Sequence, residues 1–281
     1  PYKDFIYVLG DFNDWTPTAD YLMHKESHGT DSTWFWLEID GLTPGQEYAF
    51  QYLVDGGLRI ADPYSELTLH PDDDPYIPSN VYPDIPAYPY GKTSFSVGVL
   101  QPGAEQYNWN STNYERPETK DLIIYELLLR DFLEDHSYQT LIDTLDYLDR
   151  LGVTAIELMP VNEFEGNLSW GYNPAFHLAL DKYYGTQNTF KAFVDAAHSR
   201  GIAVILDVVL NHAFGRSPII RLWNEGDYGA PTSENPYANS IAKHPYNVGY
   251  DLNHESAATR YFSKRVMQYW LEEYNIDGFR F

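Results

Sequence analysis

Hydrophobic positions divide the chain into two parts with different periodicities. Up to about residue 70, short runs rich in aromatic and β-branched residues alternate with turn residues, as at positions 5–9, 34–39 and 48–54. The last of these runs is followed by Asp55-Gly56-Gly57, a sequence typical of a β-hairpin turn. Strands at this spacing predict a small β-sandwich.

A proline-rich stretch follows these predicted strands. Prolines recur throughout residues 71–89, and such a density excludes both a helix and a central strand. We therefore predict an extended connector that completes a first domain over residues 1–95, followed by a linker over residues 96–120.

From about residue 121 the pattern changes to alternating strands and helices. Mainly apolar runs predict buried strands at residues 122–125, 153–159, 202–206 and 276–281. Apolar residues three or four positions apart predict a helix between successive strands. The resulting order, β-α-β-α-β-α-β, indicates a parallel sheet with right-handed crossovers. Both a doubly wound sheet and a (β/α)8 barrel begin in this way, and the periodicity leaves the two alternatives open.

One connection in this second part is unusually long. Residues 209–254 separate the third predicted strand from the third predicted helix, whereas such loops usually have about 2–6 residues. Because long loops in compact domains usually carry function, we predict a functional loop here.

Composition narrows the classes of partner. The formal net charge is −23, which repels nucleic acid and anionic membranes. It suits a neutral or cationic ligand, and a neutral polysaccharide is compatible with it but not implied by it. Aromatic residues make up 16% of the chain; their rings can stack on sugar faces, although an aromatic-rich core would give the same composition. No apolar run approaches the ~18 residues of a membrane span. The absence of cysteine excludes disulfide and thiol chemistry and leaves every compartment open.

Polar side chains follow the third and fourth predicted strands directly. Asp207 comes after five apolar residues, and Arg280 lies near the end of the last run. The carboxyl ends of parallel strands carry the functional sites of such folds, and neighbouring strands lie about 4.8 Å apart. We therefore expect Asp207 and Arg280 to form a charge-assisted pair. The residues alone leave open whether this pair is catalytic or purely structural.

Two loop segments near these strand ends are candidates for ligand binding. The imidazole of His212, five residues after Asp207, can donate to a ligand hydroxyl, although a histidine in a loop is more often a surface residue. Trp170 and Tyr172 flank Gly171, which lets the backbone turn sharply beside two large rings. The rings would either stack on a sugar or pack the loop onto the sheet, and the residues alone do not decide between these alternatives.

Four segments in this order resemble the α-amylase superfamily (glycoside hydrolase family 13). Residues 207–212 (DVVLNH) are similar to its D-V-V-x-N-H motif, and residues 278–281 (GFRF) to the first four positions of its G-F-R-x-D motif. Residues 152–161 resemble its second-strand motif, and residues 170–174 with 183–186 the segment that follows. The resemblance implies that residues 121–281 form the first half, four βα units, of a TIM barrel.

The first domain resembles the immunoglobulin-like, starch-associated module of branching and debranching enzymes, which is similar to carbohydrate-binding module family 48. Residues 10–15 (GDFNDW) and 61–64 (ADPY) carry this resemblance. Trp34 and Trp36 share one face of their predicted strand and could stack on a glucan. We nevertheless expect at least one of the two rings to lie in the sandwich core.

Members of the family cleave or transfer α-glucosidic bonds with retention, through a covalent glycosyl-enzyme. The resemblance implies that Arg280 orients the nucleophile and keeps it ionised, and that Asp207 fixes Arg280. It also implies that Tyr172 stacks under the sugar at the cleavage point and that His212 bonds one hydroxyl of that sugar. Trp170 is a further candidate for substrate contact.

Two other positions follow from the same comparison. Asn211 matches a position that binds structural Ca²⁺ in many members, so a calcium ion is the one metal that the resemblance suggests, and the chemistry requires no cofactor. His177 occupies a position that is usually aromatic, and we expect it to serve packing.

The expected nucleophile, the Asp of G-F-R-x-D, would lie directly after Phe281, and the acid/base Glu in a later strand. We therefore expect a truncated catalytic domain that is inactive as 281 residues alone. We also expect it to be poorly stable, because four strands of a closed barrel leave two unpaired edges. The first residue is Pro1 rather than Met, which indicates a processed or trimmed N-terminus.

The leading hypothesis is a retaining α-glucan hydrolase of the α-amylase or debranching type, with an α-glucan polysaccharide or oligosaccharide as its partner. A branching-type transferase of the same family and a non-catalytic glucan-binding protein are the alternatives. An extracellular or periplasmic location is favoured for a polysaccharide degrader, whereas a glycogen enzyme would be cytoplasmic.

Overall fold

The computed structural model describes residues 2–29, 32–245 and 248–281. It divides the chain into two compact units, Pro1–Pro75 with Pro86–Glu105, and Tyr76–Ile85 with Gln106–Phe281. Pro1, and residues 246–247 of the predicted functional loop, lie outside the described residues. None of the helices in the described ranges combines the length and the apolarity that crossing a membrane requires.

The first unit is built from short antiparallel strands. Its strands are β1 (Ile6–Gly10), β2 (His24–His28), β3 (Ser32–Trp36), β4 (Tyr48–Val54), β5 (Leu58–Ile60), β6 (Leu67–Leu69) and β7 (Val97–Leu100). One sheet has the order β1-β4-β7-β6, with β5 also paired to β4, and β2 pairs with β3 in a separate ribbon. The predicted hairpin is confirmed, because β4 and β5 are antiparallel neighbours and Asp55 and Gly56 adopt the positive φ angles of 50° and 71° that such a turn requires.

The boundary of the first unit differs from the predicted one. Strand β7, which falls in the predicted linker 96–120, pairs with both β4 and β6 and so lies inside the sheet. Its four residues are too short a run to be recognised after the proline-rich stretch. The connector region itself is confirmed as free of strands between β6 and β7 within the described residues.

The β2–β3 ribbon is paired separately from the five-stranded sheet within the described ranges, and the two-layer sandwich stays a prediction. The core of the first unit is mainly aliphatic, with Leu9, Leu69 and Val97 fully buried. Trp34 and Trp36 are 56% and 45% exposed, so the expectation that one of them lies in the core is wrong. Strand alternation predicts that the two rings share a face, but it does not identify which face is covered.

The second unit alternates parallel strands and helices. Its elements are β8 (Ile124–Leu127), α1 (Leu129–Phe132), α2 (Tyr138–Arg150), β9 (Ala155–Leu158), α3 (Gln187–His198), β10 (Ala203–Asp207), β11 (His212–Ala213), α4 (Pro218–Arg221), β12 (Tyr250–Asp251), α5 (Ala257–Tyr274) and β13 (Gly278–Arg280). Strands β8, β9, β10 and β13 form one parallel sheet in that order.

The strand order separates the two alternatives that periodicity left open. In a doubly wound sheet the order reverses at a switch point, so that a later strand lies beside the first one. Here β13 lies beside β10, and each new strand is added on the same side of the sheet. This consecutive order is the one expected of a barrel.

The helices lie where the apolar spacing predicts them. Helix α2 is capped at its N-terminus by Ser137, whose hydroxyl accepts from Thr140 N–H, and α3 by Thr186, whose hydroxyl accepts from Thr189 N–H. Their apolar faces are buried. The ring of Phe190 on α3 makes edge-to-face contacts with the rings of Trp270 and Tyr274 on α5. Helices α3 and α5 are thereby packed against each other.

One glycine sets the path of the segment that follows β9. Gly171 has φ +89°, and a Cβ at this position would lie 2.4 Å from the carbonyl oxygen of Pro160. Only glycine satisfies both constraints, and the turn carries the chain directly into Tyr172.

The substitution Gly171→Ala tests this constraint. We expect it to lower the free energy of unfolding by about 3 kcal/mol, since left-handed strain costs roughly 1–2 kcal/mol and overpacking roughly 1–3 kcal/mol. Gly152→Ala is the matched control, because Gly152 has φ +84° but a Cβ there meets nothing within 4 Å. Urea unfolding of both variants measures the difference, and equal losses would show that the close approach to Pro160 is unimportant.

Candidate functional site

An ion pair with a buried carboxylate joins the ends of two neighbouring strands. Parallel register places Asp207 of β10 opposite Arg280 of β13. Asp207 is 2% exposed, and Arg280 Nη1 donates to its Oδ2 at 2.6 Å. The structure therefore contains the charge-assisted pair that the sequence predicts.

The same carboxylate oxygen has a second donor. Tyr172 Oη donates to Asp207 Oδ2 at 2.6 Å, so one oxygen connects the segment after β9 with the end of β13. Burial, and then the hydrogen bond to Asp207, raise the pKa of Tyr172 to about 12. The charge of Asp207 likewise raises the pKa of the half-exposed Arg280. At neutral pH the group therefore consists of a neutral phenol and a charged guanidinium around one buried acceptor.

His212 joins this group through the backbone. It lies on β11, which pairs with β12 from the far end of the long loop. Its Nε2 bonds the carbonyl oxygen of Tyr172 at 2.8 Å, and because a carbonyl only accepts, Nε2 carries the proton. Nδ1 is then an acceptor, and it is buried without a hydrogen-bond partner among the described residues. Burial lowers the pKa of His212, which favours the neutral ring.

This geometry changes the role expected of His212. From the sequence we expected its N–H to bond a ligand hydroxyl, whereas in the structure that N–H positions the backbone of Tyr172. The remaining polar atom of the ring, Nδ1, is an acceptor, but it is buried.

Two carboxylates that the sequence analysis missed lie beside the pair. Glu126 of β8 and Glu157 of β9 are opposite each other in register, and oxygens of both lie within 4.8 Å of one another and of an Asp207 oxygen. Burial, and then the charge of Glu126, raise the pKa of Glu157. The signal was present as a single acidic residue in each of two otherwise apolar strands. The charge of Arg280 partly offsets this rise in the pKa of Glu157. Arg280 therefore already supplies positive charge to this group.

The predicted calcium position is not part of this group. Asn211 is exposed, while its carbonyl oxygen accepts from Leu252 N–H at 2.9 Å. Calcium needs about six to eight oxygen ligands, and the acidic side chains that the described ranges bring together are those around Asp207. The geometry therefore gives no further support to Asn211 as a calcium ligand, and that prediction rests on the family resemblance alone.

Trp170 lies apart from the hydrogen-bonded group. It is 58% exposed and lies two residues before Tyr172. Because its ring is exposed, Trp170 does not pack the loop onto the sheet. Sugar contact by this ring stays a prediction.

A buried histidine holds the loop that follows Asp207. His177, 3% exposed, bonds the carbonyl oxygen of Val209 through Nε2 at 3.0 Å. Its own carbonyl oxygen accepts from Trp270 Nε1 at 2.9 Å. His177 therefore does more than the packing we expected: it ties the segment after β9 to the segment after β10.

Comparison with known proteins agrees with the motifs. Residues 134–219 match the protein family described as "Alpha amylase, catalytic domain". This span contains Tyr172, Asp207 and His212, so the family resemblance is confirmed for this part of the chain. Arg280 and the whole first unit lie outside the matched span.

Relatives and solved structures extend the similarity over the whole chain. The chain is 29% identical to the malto-oligosyltrehalose trehalohydrolase of Saccharolobus solfataricus, over 96% of this chain and 43% of the relative. It is 28% identical to the 1,4-alpha-glucan branching enzyme GlgB of Leifsonia xyli, over 100% of this chain and 35% of the relative. A pullulanase structure from Paenibacillus barengoltzii has a TM-score of 0.71 at 21% identity, over 99% of this chain and 45% of the other, which shows a shared fold. The chain thus spans less than half of each of these proteins.

Burial of His177 predicts a pH dependence of stability. Burial lowers its pKa from the ordinary 6.5 to about 4, so between these values the unfolded chain binds a proton that the folded chain does not. The free energy of unfolding should therefore fall as the pH drops from 6.5 towards 4, by up to about 3 kcal/mol from this group. Urea unfolding at a series of pH values measures this fall. Between pH 6.5 and 4 the free energy of unfolding should decrease less steeply with falling pH for His177→Phe than for the unmodified chain. The same pH dependence in both proteins would contradict the lowered pKa of His177.

Proposed function

We propose that residues 121–281 are the first half of the barrel of a retaining α-glucan hydrolase. The observation that carries the proposal is the oxygen of Asp207 that accepts from both Tyr172 and Arg280, at the ends of strands whose motifs follow the order of the α-amylase family. The consecutive parallel strands support a barrel. The edge strand β8 also supports a barrel, because Ile124 on this strand is 48% exposed and the next strand of a closed barrel would cover it.

The proposed chemistry uses two carboxylates that are expected beyond these residues. An aspartate directly after Phe281 attacks the anomeric carbon while a glutamic acid protonates the leaving oxygen, and water then resolves the glycosyl-enzyme. The described residues prepare this step. Arg280, whose pKa is raised, remains cationic two positions before the nucleophile and favours its ionised form. Tyr172 presents a ring that its hydrogen bond to Asp207 holds in place.

The choice between hydrolysis and transfer depends on the group that attacks the glycosyl-enzyme. Water gives hydrolysis, and a hydroxyl of a second glucan chain gives a branch. Relatives of both kinds resemble this chain, a trehalohydrolase and a branching enzyme. We propose hydrolysis, the reaction named in the trehalohydrolase relative, with transfer as the alternative, and α-glucan chains are the substrate class in both cases.

A non-catalytic function of the first unit has its own support. Trp34 and Trp36 are both exposed on β3, and their register partners on β2 are Glu26 and His24, so the four side chains share one face of the ribbon. Two rings bordered by polar groups suit a polysaccharide chain. We propose that this starch-associated module binds glucan, whether or not it accompanies catalysis.

The direct test extends the chain past Phe281 with its natural sequence. We expect reducing sugars to be released from soluble starch, with the α-anomer formed first because retention is expected. Arg280→Ala should lower kcat by about 10²–10³-fold, the loss typical of a positioned electrostatic group. Arg200→Ala is the control, since Arg200 makes a surface pair with Asp146.

Three outcomes would contradict this proposal. An extended chain without turnover would exclude the hydrolase, and long branched products without reducing sugars would establish the transferase. Equal rates for Arg280→Ala and Arg200→Ala would remove Arg280 from the active site. The 281 residues alone should show no turnover, because both reacting carboxylates are expected outside them.

A further inference from the structure

A strap of the second unit, residues 107–116, is bonded to the end of the parallel sheet that lies opposite the candidate site. Its residues, which the structure describes throughout, form neither helix nor strand. Two aspartates anchor it: Asp195 on α3, and Asp277 directly before β13. The strap therefore connects a helix with the beginning of the strand that carries Arg280.

The first anchor of the strap has many donors. The N–H groups of Asn110 and Ser111 donate to the Asp195 carboxylate at 3.0 and 2.8 Å, and Asn110 Nδ2 donates at 2.8 Å. Tyr107 Oη adds a longer bond of 3.3 Å. Although burial opposes the shift, hydrogen bonds from Ser111 and Asn110 lower the pKa of Asp195 to about 2. This carboxylate therefore stays ionised and holds the strap even without the hydroxyl of Tyr107.

The second anchor depends on Tyr114. Its Oη donates to Asp277 Oδ1 at 3.0 Å, and its ring lies parallel to that of His198, with ring centres 3.8 Å apart. Burial, and then the charge of Asp277, raise the pKa of Tyr114, so the hydroxyl keeps the proton that it donates. The position of this phenol is thus fixed by a stacked ring on one side and a carboxylate at its end.

The other oxygen of Asp277 bonds the neighbouring strand. Oδ2 accepts from Val204 N–H at 2.8 Å, and Asp277 N–H donates to the carbonyl oxygen of Val204 at 2.8 Å. Oδ2 also bonds His198 Nε2 at 2.9 Å. Because a carboxylate is planar, a donor on Oδ1 fixes the orientation in which Oδ2 meets β10. Tyr114 therefore acts on the register of β13 against β10 through the two oxygens of one carboxylate.

Strand β13 transmits this restraint because it is short. Gly278–Arg280 has three residues, so Asp277 and Arg280 lie about 10 Å apart along one extended segment. Gly278 has no side chain that could anchor the strand between them. A rotation at Asp277 therefore moves the guanidinium that meets Asp207, and a misplacement of about 1 Å can cost roughly 10²-fold in rate.

We propose that Tyr114 is a positioning residue for the reaction at the opposite end of the sheet, because its hydrogen bond to Asp277 sets the direction of Arg280. The inference rests on the proposed function, since Arg280 serves the hydrolysis proposed for residues 121–281. Tyr114 itself touches no reacting group. The amino ends of barrel strands usually serve stability; here they also determine the geometry at the carboxyl end.

Two tyrosines of the strap give a matched pair for the test on the chain extended past Phe281. Tyr114→Phe removes the bond to Asp277 but keeps the ring on His198. It should lower kcat for soluble starch about tenfold and leave KM within about twofold, the pattern of an interaction made only in the transition state. Tyr107→Phe removes the same kind of phenol–carboxylate bond from Asp195, which keeps its other donors, and should leave both constants within about twofold.

Hydrogen exchange gives a readout that does not need turnover. Val208 N–H donates to the carbonyl oxygen of Arg280 at 3.0 Å, so its exchange rate reports on the far end of β13. In the extended chain, Tyr114→Phe should speed the exchange of this amide about tenfold, the factor expected when a hydrogen bond to a charged group is lost. Tyr107→Phe should leave the rate within about twofold.

Failure of the positioning role and failure of the hydrolase give different results. Lower kcat and faster Val208 exchange in Tyr114→Phe alone would support the proposal. Equal losses of kcat in both variants would show that the strap serves stability only, and an unchanged kcat in Tyr114→Phe would overturn the positioning role while leaving the hydrolase intact. Without turnover in any extended chain the proposed hydrolase would fall, and equal Val208 exchange in the two variants would then overturn the hold of Tyr114 on β13 as well.

Discussion

Burial of the Asp207 carboxylate is the constraint on which the site depends. An ionised carboxylate costs several kcal/mol to bury unless donors replace its water, and Asp207 is 2% exposed. The donors are Tyr172 and Arg280, which come from separate parts of the chain. The carboxylate is therefore satisfied only when the Gly171 turn and the register of β13 are both correct, so one interaction fixes the relative positions of three segments.

The opposite end of β13 is held in the same way by another buried carboxylate. Asp277 Oδ2 accepts from Val204 N–H at 2.8 Å and bonds His198 Nε2 at 2.9 Å, while Oδ1 accepts from Tyr114 Oη at 3.0 Å. A short strand between two such anchors has little freedom to shift along β10. The direction of Arg280, and of whatever follows it, is thus set by hydrogen bonds at both ends of the strand, and the proposed catalysis needs that precision.

Much of this organisation could be predicted from the sequence, because it depends on local periodicity. Apolar spacing predicts α2, α3 and α5, and apolar runs predict the parallel strands, so that Asp207 and Arg280 meet as expected. Which face of a strand is buried was harder to predict. Strand β3 alternates clearly, but alternation does not show that the face with Trp34 is exposed. Glu126 and Glu157 gain meaning only once the register of β8 and β9 places them together.

A double-mutant cycle tests the central role of Asp207 most directly. In the extended chain, Tyr172→Phe should lower the free energy of unfolding by about 1.5–3 kcal/mol, the contribution of a hydrogen bond to a charged group. In an Asp207→Asn background the same change should cost at least about 1 kcal/mol less, because the buried charge is gone. In an Asp146→Asn background, where the carboxylate is 69% exposed, its cost should be unchanged. An equal cost of Tyr172→Phe in all three backgrounds would contradict the account.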